Sequence, residues 1–126
     1  MMRKKPLLSA VLLLGSMSSV HAQDADFHLT YHVERTPADG LSIDACGDAA
    51  VETARQAGFE TDRQSVAGLL VTVQGGRQSV GAFVVQCIAV DAKTVSVVQG
   101  IDYQPRKGAL GRLADQALAA LRTATK

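Results

Sequence analysis

The chain reads as an α+β domain: a two-layer sandwich in the order β-α-β-β-β-α, with a four-stranded sheet and two helices on one face. Three patterns predict this. Phe27–Glu34 alternates apolar and polar residues with period two, and Ile43–Ala57 and Leu110–Leu121 repeat apolar residues every three or four positions. Between those two helical segments lie three β-rich runs punctuated by tight-turn residues. Helices and strands in this order bury their apolar faces as two packed layers.

The first strand is Phe27–Glu34, and Pro37-Ala38-Asp39-Gly40 ends it. Ser42 is a good N-cap for the next helix, and Asp44 in the first turn is favoured by the helix dipole. Ile43, Cys46, Ala50, Ala54 and Ala57 share one face. Gly58-Phe59 reads as the stop, glycine in the left-handed position and an apolar residue closing over it. Residues 60–67 are polar and read as a connection.

Leu69–Gln74 and Arg77–Val90 follow as strands, with Gly75-Gly76 between them as a hairpin signal. Asp91-Ala92-Lys93 leads into a strand over Thr94–Tyr103, and Pro105 and Gly108 close the strand region. The last helix starts near Ala109, its face built from Leu110, Leu113, Ala114, Ala117, Leu118 and Leu121. With one helix crossover after it, the first strand is expected to pair in parallel at either edge of the three-strand meander. Arg63-Gln64-Ser65-Val66 recurs as Arg77-Gln78-Ser79-Val80, a single repeat that reads as local strand-entry chemistry.

Residues 1–22 have the layout of a secretory signal peptide. Arg3, Lys4 and Lys5 precede the apolar stretch Leu7–Leu14, and Val20-His21-Ala22 supplies the cleavage site. The stretch is shorter than the roughly 20 apolar residues of a spanning helix, so no membrane insertion is expected. Residues 23–126 then form one small domain, periplasmic or secreted. Three of the 13 basic residues fall in the leader, leaving ten against 12 acidic ones, a net charge of −2. Such a chain has no field to attract nucleic acid. Five aromatic residues and no Trp argue against stacking platforms for carbohydrate or single strands.

In an oxidising compartment Cys46 and Cys87 are expected to form a structural disulfide between the first helix and a strand. There is no C-x-x-C, so a redox role is disfavoured, as are a metal ligand and an unpaired core cysteine. His28 and His32 are four residues apart on one strand, about 13 Å, too far to share one metal. They are expected on the polar, solvent side of the sheet with Thr30. Asp44, Asp48 and Glu52 line one side of the first helix and read as a solvated face, Glu52 pairing with Arg55. Arg106, Lys107 and Arg112 gather at the start of the last helix, a weak anion site beside solubility or partner acids. No metal site and no cofactor are expected.

The surface with most functional content is the sheet face away from the helices. If Phe83, Val85, Cys87 and Ala89 point inward, then Val80, Ala82, Val84, Gln86 and Ile88 point outward, more apolar than a solvated face should be. His28, Thr30 and His32, Leu70, Thr72 and Gln74, and Thr94, Ser96 and Val98 are expected to flank them. An exposed apolar strip of this kind marks a contact surface.

Three runs carry a resemblance: Phe27–Glu34, Leu41–Asp48 and Val95–Tyr103. They resemble a family of small exported bacterial proteins known only as an uncharacterised domain, which implies no activity and no catalytic residue. The element order is also similar to that of small envelope adaptor domains, an analogy of fold alone. No G-x-S-x-G, H-E-x-x-H or clustered metal ligand is present, so catalysis is not expected. The expected function is a non-catalytic exported binding protein acting through the open sheet face. Its partner would be an envelope protein or a second copy in a homodimer. The alternatives are an inhibitor or immunity protein against a cell-wall-active toxin, and a binder of a small lipid-like ligand.

Overall fold

Both helices lie on one face of the sheet, and the sheet has five strands where four were expected. The computed structural model describes residues 26–126, together with Arg3 and Gly15; the rest of the predicted leader lies outside the described residues. The strands are β1 His28–Pro37, β2 Thr61–Val66, β3 Leu70–Arg77, β4 Gly81–Val90 and β5 Lys93–Asp102. The helices are α1 Ile43–Gln56 and α2 Ala109–Ala124. Strand order is β1-β5-β4-β3-β2, and every neighbouring pair is antiparallel.

The fifth strand is β2, within the segment expected to be a polar connection. It reads TDRQSV and is exposed at all positions but the first. An edge strand can be held by its ladder alone, and its inward Arg63 reaches over α1 instead of entering the core, so no apolar alternation betrays it. This strand also reverses the expected pairing of β1. Adding one strand to the meander inverts its parity, so β1 docks antiparallel on β5, His28 opposite Asp102. The crossover through α1 instead joins β1 to β2 at the opposite edge of the sheet.

Gly75 and Gly76 do not form the hairpin; they lie inside β3. A Cβ on Gly76 would stand 2.4 Å from the carbonyl oxygen of Gly81, so glycine is required by the close approach of β4. The turn falls at Gln78-Ser79-Val80, with Ser79 at φ 64° and the Val80 amide donating to Arg77 O at 3.0 Å. The two Arg-Gln-Ser-Val copies are therefore not equivalent: one lies in β2, the other opens a turn.

Both helices sit where the periodicity placed them. Ser42 caps α1, its hydroxyl accepting from the Ala45 amide at 3.0 Å, and Cys46, Ala50 and Ala54 are buried. The helix ends at Gly58 with φ 84°, Phe59 donating back to Ala54 O at 2.9 Å. Leu110, Leu113, Ala114, Ala117 and Leu121 of α2 are buried against Val98, Val85 and Phe83. Gly100 lets α2 settle onto β5, since a Cβ there would meet Leu110 O at 2.1 Å. The expected disulfide joins Cys46 of α1 to Cys87 of β4 across this core, with Cα atoms 6.1 Å apart and both side chains fully buried.

Candidate functional site

Cross-strand register fixes which side chains share the open face. One row runs Asp62, Gln74, Val84, Gln99 and Tyr31; the next runs Gln64, Thr72, Gln86, Val97 and Val33. A third runs Val66, Leu70, Ile88, Val95 and Arg35, and at the other end Gly76, Ala82, Ile101 and Leu29 stand in line. Charge is confined to the margins of these rows, at Asp62 and Arg35. The interior is aliphatic residues, Tyr31, Thr72 and glutamines, with the apolar share rising toward β1.

Several expected members of this face prove to be elsewhere. His28, Thr30 and His32 point toward the helices, and the apolar residues between them point out: Leu29, Tyr31 and Val33 are 46%, 63% and 50% exposed. The cause is a tertiary contact: the inward side of β1 meets the polar flank of α2, where Asp115 accepts a hydrogen bond from the His32 ring at 2.8 Å and Glu34 accepts one from Arg122 at 2.8 Å. His28 Nδ1 and Thr30 Oγ1 are buried on the same side without a hydrogen-bond partner among the described residues.

In β5, Thr94, Ser96 and Val98 are likewise inside, each about 1% exposed, which leaves Val95, Val97, Gln99 and Ile101 outward. Ser96 packs against Cys46 Sγ at 3.3 Å, and the Thr94 hydroxyl donates to Leu41 O at 2.6 Å just ahead of α1. Val80 belongs to the turn before β4, not to the strand. Val84, Gln86 and Ile88, with Leu70, Thr72 and Gln74, are on the open face as expected.

The charged clusters are absorbed by the fold. Arg63 of β2 pairs with Asp48 at 2.6 Å and with Asp44 at 3.6 Å, and Arg55 pairs with Glu52 at 2.6 Å. At the start of α2, Lys107 pairs with Asp115 while Arg106 and Arg112 are exposed. The Lys107 ammonium, and after it His32, holds the Asp115 carboxyl below the usual carboxylate range. The helix N-terminus already holds an anion of its own. The buried Asp102 carboxylate accepts from the amides of Gly108, Leu110 and Gly111 at 2.7, 3.0 and 3.0 Å. These amides are therefore not free for the weak anion site expected at Arg106, Lys107 and Arg112. Among the described residues no three His, Cys, Asp or Glu side chains gather as a metal site.

A groove of about 610 Å³ indents one end of the open face, where Gly76 contributes no side chain. Ala82, Val84 and Ile101 form its apolar floor, Gln74 and Gln99 line it, and Glu60 and Asp62 stand on its β2 side. The described residues thus form a small disulfide-bonded two-layer α+β domain, one sheet face buried under helices and the other left open by the described residues and largely uncharged. The chain belongs to DUF6180, a family of unknown function, whose sequence pattern matches residues 26–126. It matches no curated protein and no solved structure.

Proposed function

We propose that this protein is a non-catalytic binding protein of the periplasm or cell exterior that docks an envelope or secreted protein on its open sheet face. One observation carries the reading: three adjacent outward rows hold no charge except at their ends, and Leu29, Tyr31 and Val33 extend the apolar surface to the β1 edge. Soluble domains rarely leave such a surface without an occupant. Five strands at about 4.8 Å spacing, three of them ten residues long, outline roughly 600 Å² in projection. That is of the order of the ~800 Å² of accessible surface each partner gives to a standard interface. The leader-like pattern of residues 1–22 and the buried disulfide support an exported location.

The test is a photo-crosslinking amino acid placed at position 97, in the centre of the face, or at position 116, on the exposed side of α2. Expressed in the source cells, the chain is expected to trap a discrete adduct from position 97 and none from position 116. An adduct at twice the chain mass identifies a second copy as the occupant. Crosslinking from position 116 alone refutes the assignment.

A further inference from the structure

We propose that the groove at the Gly75-Gly76 end of the open face binds a small amphipathic cation, an alkylammonium or alkylguanidinium with an apolar body. Its volume of about 610 Å³ is that of a small-molecule site. The floor of Ala82, Val84 and Ile101 offers the apolar body a surface without a charge. The charge of the ligand follows from the walls. Glu60 and Asp62 are both exposed on the β2 side, and neither joins any of the ion pairs among the described residues. Asp62 receives only long amide bonds, from Gln64 at 3.3 Å and Gln74 at 3.4 Å. Among the described residues no Lys, Arg or His lines the groove, so an anionic amphiphile is repelled and a cationic one is matched.

The spacing also sets the length. Asp62 and Val84 lie in one cross-strand row two strands apart, so head and body are separated by about 10 Å. An octyl chain has that reach. The carboxamides of Gln74 and Gln99 lie in the same row and can accept from the ammonium or its neighbouring groups.

Titration of the oxidised, isotope-labelled chain with octylammonium, octanol and octanoate, followed by amide chemical shifts, tests this. Octylammonium is expected to move the amides of Gly75, Gly76, Val84 and Gln99. It should bind about fivefold tighter than octanol, the size of an exposed ion pair, and octanoate weakest. Glu60→Gln with Asp62→Asn should erase the difference between octylammonium and octanol, because the apolar floor is untouched. Ala82→Leu, at a half-buried floor position, should weaken all three. Equal affinity of the three ligands for the unaltered chain, shifts centred on Val33 and Val97, or no shifts at all would each overturn the assignment. None of those results bears on crosslinking from position 97, which decides the open-face reading separately.

Discussion

Asp102, the last residue of β5, accepts a hydrogen bond from the Gly108 amide at 2.7 Å and so caps a helix six residues ahead of it in the chain. Gly108 is the N-cap of α2 and has no side chain to satisfy the first-turn amides. A carboxylate delivered from the sheet does so instead, and it ties the end of β5 to the start of α2.

Removing that carboxylate should be costly. Asp102→Ala leaves three buried amide donors without their acceptor, and a loss of about 2–4 kcal/mol is expected. Asp102→Asn keeps an acceptor oxygen and should lose less. Urea unfolding of the two variants checks both the size and the order.

The pairing of Asp115 with Lys107 and His32 predicts an acid-sensitive contribution to stability. The folded carboxyl titrates below its unfolded value, so its contribution is complete above the unfolded carboxylate range and is lost as pH falls through the lowered folded value. The group is substantially exposed, so the contribution at neutral pH should stay below about 1 kcal/mol and shrink in salt. Unfolding free energies of the wild type and Asp115→Asn should differ at pH 7 and converge toward pH 2.

The Cys46–Cys87 bond joins the two layers across a sequence separation of 41. In the chain-entropy account, losing it costs about 4 kcal/mol, a large part of the stability of so small a domain. The Cys46→Ala, Cys87→Ala double variant should show a matching fall in unfolding free energy. The same fall should follow reduction of the wild type.

What the sequence revealed divides along physical lines. The helices, the caps of α1 and the disulfide were legible because each rests on a local pattern: Ser42, Gly58-Phe59, and apolar residues every three or four positions. β4 was legible because its inward side is apolar from Phe83 to Cys87. β2 was not, since an edge strand with Arg63 turned over α1 carries no apolar period, and missing it reversed the pairing sense of β1. The face of β1 was misassigned because alternation gives the period of a strand but not its direction. The inward placement of His32 depends on Asp115, 83 residues away. The same ambiguity hid Val97 and Ile101, which stand on the open face with Val84.

The open face is the central claim, and one comparison tests it most directly. The oxidised chain, its Val97→Asp variant and its Gln116→Glu variant are each immobilised and exposed to cell-envelope extract of the source cells. Val97 is only partly buried and faces outward, so Val97→Asp should leave the fold intact by circular dichroism. The same partner should be retained by the unaltered chain and by Gln116→Glu, and lost by Val97→Asp. Retention by Val97→Asp together with loss by Gln116→Glu would place the working surface on the helices and contradict the account.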